Sequence, residues 1–92
     1  MKKEHVSGAG IRRWMVDTED VLTEGKVKAV LETWHSKKPW EDDVEQVYTG
    51  RIVFIENGRT LLSACRKSYT RMIGWCQANA RTANVILDNL EK

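Results

Sequence analysis

The chain has 92 residues, of which 41% are hydrophobic and 30% are charged, and its formal net charge is +2. This length accommodates one hydrophobic core, and the composition excludes a disordered or low-complexity chain. No apolar run approaches the roughly 20 residues that span a bilayer, and two cysteines are too few for a disulfide framework. We therefore expect a single domain over residues 1–92, with residues 1–9 frayed, in a reducing cytoplasm.

Charge is unevenly distributed along the chain. Residues 1–16 carry a net charge of +3 and residues 17–50 carry −5, whereas residues 51–81 carry +5 and residues 82–92 carry −1. Two interpretations are open at this point. The acidic and basic segments pair with each other across the fold, or the basic segment leaves a surface for an anionic partner.

Residues 26–35 fit either a strand or a helix. Their alternation places Val27, Ala29 and Leu31 on one side of a strand. The same segment also has the helical spacing i, i+3, i+4 and i+7, at Val27, Val30, Leu31 and Trp34. We favour the strand because Gly25 precedes the segment and because its valines are β-branched.

The neighbouring segments are assigned from this strand. Residues 11–16 are predicted to form the adjacent strand, and residues 17–24 an acidic connection with room for one short helical turn. Periodicity alone leaves residues 18–35 open between helix and strand. Residues 35–45 are predicted to form a polar loop, since they contain the only proline and a cluster of charges.

A hairpin is predicted around the pair Asn57-Gly58. This pair supplies the positive φ angles of a type I′ turn, and apolar runs precede and follow it. We therefore predict two antiparallel strands, at about residues 47–56 and 59–64.

The carboxy-terminal segment has the clearest helical pattern. Ser68 is a suitable N-cap, and the apolar residues after it lie on one stripe about 100° wide. They are Tyr69, Met72, Ile73, Cys76, Ala80, Ala83, Leu87 and Leu90. We predict a helix over about residues 68–90; a start near Leu61 would also extend the stripe and would remove the second hairpin strand. The predicted fold is α+β, a small antiparallel sheet of three to four strands packed by one long C-terminal helix.

Residues with catalytic chemistry are scarce. The chain contains no glycine-rich phosphate loop, nucleophile elbow or paired zinc-ligand motif. A dyad of His35 with Cys65 or Cys76 is the one nucleophilic arrangement to consider, and Cys76 lies on the apolar stripe, where cysteines act as small hydrophobes. Residues 41–45 are acidic but lack the pattern of a calcium loop. We therefore expect no enzymatic activity, no metal site and no cofactor.

The helix face opposite the apolar stripe is more informative. It contains Lys67, Arg71, Gly74, Ala78, Arg81 and Val85. Gly74 and Ala78 let another backbone approach closely, and the flanking cations reach phosphates or carboxylates. A solvated helix face with an incidental glycine is the alternative interpretation.

Trp75 lies on the flank of this helix, between the stripe and the opposite face. Beside Arg71 it resembles the aromatic and arginine composition of binding hot spots, and the alternative is a core-edge tryptophan that caps the sheet. Arginines of the hairpin add to the basic surface. The candidate partner-binding residues are Lys67, Arg71, Gly74, Trp75, Ala78, Arg81, Arg59 and Arg51.

The chain as a whole resembles a known group of phage proteins. It is compact and rich in tryptophan, opens Met-Lys-Lys-Glu-His-Val and closes Ala-Asn-Val-Ile-Leu-Asp-Asn-Leu-Glu-Lys. In size and character it is similar to phage-encoded anti-CRISPR proteins of the type I-F kind. The resemblance assigns no site residue, because that family is diverse in sequence and fold.

The resemblance implies a mode of action. Such proteins are non-enzymatic inhibitors that bind the crRNA-guided surveillance complex (Csy, or Cascade) of a bacterial host cell. They prevent target DNA from binding or hybridising, or they block recruitment of the nuclease. Many mimic DNA with an acidic surface, and the +5 segment departs from that pattern. The implied partners are therefore subunits of the complex and its guide RNA.

A second function class follows from the arginines alone. A small phage regulator that binds nucleic acid would contact DNA phosphates through arginines and lysines of the hairpin and the C-terminal helix. The net charge of only +2 and the nine acidic residues in residues 17–50 argue against this class.

Overall fold

Five strands are followed by one helix in the computed structural model, which describes residues 4–6 and 8–90, without the side chains of Glu4 and His5. The elements are β1 (Glu4–Val6), β2 (Arg12–Glu24), β3 (Val27–Lys37), β4 (Val44–Phe54), β5 (Thr60–Arg66) and α1 (Tyr69–Leu90). All neighbouring strands are antiparallel, in the order β1-β2-β3-β4-β5. The predicted α+β fold is confirmed: four long strands form an antiparallel sheet against one C-terminal helix, and the three-residue β1 extends one edge.

The first strand is a short edge strand at the amino terminus. Glu4–Val6 pair with β2, within the segment 1–9 that was expected to be frayed. Residues 1–3 and 7 lie outside the described residues.

The β2–β3 pair resolves the ambiguity of the amino-terminal half. β3 is a strand, with Val27, Ala29 and Leu31 buried on the side that faces α1. The prediction of an acidic connection at residues 17–24 is wrong, because β2 continues through it to Glu24. Two irregularities in the register, between Met15 and Asp17 and between Asp20 and Leu22, interrupt the alternation by which a strand is recognised in a sequence.

The β3–β4 loop is shorter than predicted, and the β4–β5 hairpin is present. β3 runs to Lys37 and β4 begins at Val44, so the predicted polar loop shrinks from residues 35–45 to residues 38–43. The β4–β5 hairpin is present, which excludes a helix that starts near Leu61.

The turn of this hairpin is not of type I′. Type I′ requires positive φ at both central residues, and in the described chain only glycines have positive φ, including Gly58 at 71°. The loop instead spans residues 55–59. The Gly58 N–H donates to the Phe54 carbonyl at 2.8 Å, and the Arg59 N–H donates to Asn57 Oδ1 at 2.9 Å.

The helix begins as predicted. Ser68 Oγ accepts a hydrogen bond from the Arg71 N–H at 3.3 Å, which is the N-cap contact. The buried side of α1 consists of Met72, Cys76, Ala80 and Ala83, and these residues pack on β3 and β4. The ends of the predicted stripe are exposed, most of all Leu90, at 77%.

Two contacts set the position of α1 on the sheet. Near its start the helix lies directly over Gly50 of β4, where an added Cβ would come within 2.9 Å of the Trp75 ring. Near its end the Asn84 side chain accepts a hydrogen bond from the Lys26 N–H at 3.0 Å, and Lys26 Nζ lies 3.5 Å from Asp88. The helix is therefore held to β4 at one end and to the β2–β3 turn at the other.

The sheet face away from α1 has its own polar centre. Val30 and Val53 are buried there, with 6% and 5% of their surface exposed. Between them Arg51 Nη2 lies 3.5 Å from Glu32, whose carboxylate also accepts a hydrogen bond from Trp34 Nε1 at 3.3 Å. No helix in the described part of the chain is both long and apolar enough to cross a membrane.

Candidate functional site

The outer side of α1 presents the predicted exposed surface. We call Lys67, Arg71, Gly74, Ala78 and Arg81 the basic face, and all five residues are exposed. Within the described residues, no atom would come within 4 Å of a Cβ placed on Gly74, so this part of the helix is open to solvent. The basic face is thus a pair of arginines on either side of a nearly side-chain-free surface.

The cations of the basic face have few partners inside the chain. Lys67 Nζ lies 3.2 Å from Glu45, but the lysine side chain is 83% exposed. A surface ion pair of this kind contributes at most about 1 kcal/mol. Among the described residues, no carboxylate lies within ion-pairing distance of Arg71 or Arg81. Their charge is therefore left for an external partner or for solvent.

Trp75 belongs mainly to the core. Its ring is half-buried against the core cluster and lies over Gly50. Its backbone carbonyl accepts a hydrogen bond from Asn79 Nδ2 at 2.9 Å. These contacts favour the interpretation as a core-edge tryptophan that caps the sheet, and they leave only part of the ring at the border of the basic face.

The hairpin arginines do not join the basic face. Arg51 lies on the sheet face away from α1, where its guanidinium contacts Glu32 and donates to Thr60 Oγ1 at 3.1 Å. Arg59 lies in the β4–β5 turn and is exposed. Arg51 pairs with Val30 across β3–β4, and that register is not readable from spacing along the chain.

Arg66 is a basic residue that the sequence analysis did not single out. It ends β5, and only two residues separate it from the start of α1. This short connection places Arg66 beside Lys67 and Arg71, in the lining of a cavity of about 530 Å³. The cluster of basic residues just before the helix start was the available indication, but their convergence depends on the strand-to-helix turn.

The candidate nucleophiles do not form a dyad. His35 lies on the α1 side of the sheet, 5.8 Å from the Trp14 ring and with Nε2 3.2 Å from Gln46 Oε1. Cys65 pairs with Thr49 on the other side of the sheet. Cys76 is buried in the core, where burial raises the pKa of its thiol. Both cysteines are free, and among the described residues no cluster of His, Cys, Asp or Glu side chains is arranged to hold a metal ion.

Tyr69 links the start of α1 to β2. Its hydroxyl donates a hydrogen bond to Glu19 Oε1 at 2.6 Å, and its ring lies 5.6 Å from that of Tyr48. The hydrogen bond to the Glu19 carboxylate raises the pKa of Tyr69, with desolvation as the next contribution. The stabilisation from this contact is complete below the usual tyrosine pKa of about 10. It is lost as the pH rises through the raised pKa of the folded state.

We expect this contact to be visible in an ultraviolet absorbance titration. In a Tyr48→Phe background, Tyr69 should ionise at a higher pH than free tyrosine, because its proton is held by Glu19. A further Glu19→Gln substitution should move the pKa of Tyr69 back towards the ordinary tyrosine value, since the charged acceptor is gone. Superimposable curves with and without Glu19→Gln would contradict the assigned contact.

In the described residues the arrangement is an exposed basic face on the outer side of α1, extended by Arg66 at its amino-terminal end. No family model, curated protein or solved structure matches this chain.

Proposed function

We propose that this chain is a non-enzymatic inhibitor that binds a host crRNA-guided type I-F surveillance complex (Csy, or Cascade) in the bacterial cytoplasm. In this proposal it prevents target DNA from binding or hybridising. The supporting observation is the basic face, where Arg71 and Arg81 have no carboxylate partner in the described chain and flank an open surface at Gly74. An anionic surface of the complex, guide RNA or an acidic protein edge, is the complementary partner.

The packing of α1 makes it a suitable docking element. Met72, Cys76 and Ala80 are completely buried, so the helix is held rigidly on the sheet. A surface that is ordered before binding loses little conformational entropy in the complex. Gly74 and Ala78 then allow a partner to approach the helix backbone between the two arginines.

The acidic segment carries negative charge, opposite to that of the basic face. Residues 41–43 form an exposed part of the β3–β4 loop, and residues 17–20 of β2 are exposed as well. A complex that binds DNA has a basic channel, which these carboxylates would meet. The two signs on one scaffold fit a protein that occupies a nucleic-acid groove and contacts its walls.

Charge reversal on the basic face tests this proposal. We expect the parent chain to co-migrate with the purified crRNA-loaded complex and to block its binding of target DNA. The double variant Arg71→Glu/Arg81→Glu should bind at least about 100-fold more weakly, because two attractive charges become repulsive. A 100-fold loss of affinity corresponds to about 2.7 kcal/mol. Its circular dichroism spectrum should be unchanged, because both side chains are exposed.

Arg13→Glu is the matched control. Arg13 is an exposed arginine, and its pairing with Ser36 places it on the sheet face away from α1. The Arg13→Glu variant should block target-DNA binding as strongly as the parent chain does. Absence of co-migration at micromolar concentration would overturn the proposed function, and full inhibition by the double variant would exclude the basic face.

Binding of free duplex DNA is the second candidate function. It would use arginines of both the hairpin and the helix, but Arg51 is already engaged by Glu32 and Thr60. A steep fall in duplex affinity with added salt would favour a nucleic-acid-binding regulator. If the chain does not bind duplex DNA at low salt, this second candidate function is excluded.

A further inference from the structure

A cavity of about 530 Å³ opens where β5 leads into α1. Its lining consists of Val47, Cys65, Arg66, Lys67, Ser68 and Arg71. The cavity is open to solvent and continues the basic face around the amino-terminal end of the helix.

The positive charge of this cavity is only partly neutralised by the chain. Of its three cations, Lys67 is paired with Glu45 at 3.2 Å. Arg66 Nη1 donates to the neighbouring Cys65 carbonyl at 2.8 Å, which uses one of its five N–H groups. Arg71 has no carboxylate partner among the described residues, and the first turn of α1 contains no acidic residue. The three cations of the lining and the neighbouring Glu45 carboxylate together carry a charge of +2.

The donors present suit a phosphate group. A guanidinium offers paired N–H groups that match two phosphate oxygens, and two guanidinium groups border this cavity. The Ser68 hydroxyl is a further polar group in the lining, and the Val47 side chain gives an apolar wall for a sugar or base. Phosphate beside an apolar wall is the chemistry of a nucleotide.

The rest of the basic face has a spacing that suits several phosphates of one strand. Arg81 lies ten residues after Arg71, which is about 15 Å along a helix. A strand that leaves the cavity along α1 would therefore meet a second cation after more than one phosphate.

We infer that this cavity binds a phosphate group of single-stranded RNA, with Arg66 and Arg71 on the phosphate oxygens and Val47 against the adjoining sugar or base. The inference rests on the proposed function in one respect: the guide RNA of the complex is the strand that would supply the phosphate. The site itself is a property of the isolated chain.

Cys65 reports on occupation of the cavity. Cys65 is exposed in the lining, whereas Cys76 is buried. The rate of alkylation of the native chain therefore reports on Cys65 alone. A ten-nucleotide single-stranded RNA at ten times its Kd should slow this alkylation about tenfold. The protection should fall steeply with added salt, and inorganic phosphate should protect only at far higher concentration because it offers one group instead of a strand.

The variants distinguish RNA binding in the cavity from non-specific electrostatic attraction of RNA to the protein. The measured quantity is the ratio of alkylation rates with and without RNA, so altered reactivity of Cys65 itself cancels. Arg66→Glu and Arg71→Glu should each abolish the protection, and Arg13→Glu should retain it. Thermal melting checks that each variant is folded.

Three outcomes would overturn the inference: no protection of the parent chain at low salt, equal protection in Arg66→Glu, or equal protection by an acidic peptide of the same charge. The assay contains no surveillance complex. A negative result therefore removes the phosphate site and leaves the inhibitory function standing, whereas a failed inhibition assay leaves the phosphate site standing.

Discussion

Replacing Gly50 with alanine should lower the free energy of unfolding by about 2 kcal/mol, because overpacking a well-filled core costs about 1–3 kcal/mol. Gly50 lies on β4 beneath α1, and an added Cβ would come within 2.9 Å of two Trp75 ring atoms and still closer to Met72 Sδ. The indole is rigid and the methionine is completely buried, so neither moves without repacking its neighbours. Urea denaturation measures the effect.

Gly74→Ala is the matched control for Gly50→Ala. Gly74 is in α1, where the described chain places nothing within 4 Å of an added Cβ. Alanine should raise stability by about 1 kcal/mol through helix propensity alone. At this chain length each kcal/mol shifts Tm by about 4–8 °C, so the two variants should melt on opposite sides of the parent. Equal melting of Gly50→Ala and the parent would contradict the close approach of helix and sheet.

Glu32→Ala should lower the free energy of unfolding by about 2–3 kcal/mol, because it leaves a partly buried arginine without its carboxylate. Glu32 is only 8% exposed, lies 3.5 Å from Arg51 Nη2 and accepts the Trp34 Nε1 hydrogen bond. The Arg51 Nε atom is already buried without a partner among the described residues. The effect stays below that of a fully buried pair because about a third of the Arg51 side chain is exposed.

Asp20→Ala provides the comparison for Glu32→Ala. Asp20 also forms an ion pair on this sheet face, 3.8 Å from Lys28, but its side chain is largely exposed. Its loss should change stability by less than about 0.5 kcal/mol. A double-mutant cycle of Glu32→Ala with Arg51→Ala isolates the energy of the pair itself. Equal effects of Glu32→Ala and Asp20→Ala would show that the polar centre of the sheet is not structural.

The parts of the fold that depend on local pattern were predictable. The helix follows from apolar spacing after Ser68. For β3 the spacing fits both a strand and a helix, and only Gly25 and the β-branched valines favoured the strand. β2 was not predictable, because its two register irregularities shift the alternation within a single strand. The close approach at Gly50 depends on how a helix from elsewhere in the sequence crosses β4, which no local spacing encodes.

The candidate site divides in the same way. Four of the five residues of the basic face lie on α1, and helical periodicity was sufficient to group Arg71, Gly74 and Arg81. Lys67 precedes the helix. The surroundings of Arg51 are set by the β3–β4 register, which spacing along the chain does not encode. Arg66 was missed because its approach to Arg71 depends on the direction in which the chain leaves β5.

The strand order has a consequence for synthesis on the ribosome. Each strand pairs with the one translated just before it, so the sheet can grow hairpin by hairpin as the chain emerges. Side chains of α1 cover Leu31 and Ile52, so this apolar side of the sheet stays open until the helix packs on it. We therefore expect the hydrophobic core to close last, once residues 69–90 are free to pack.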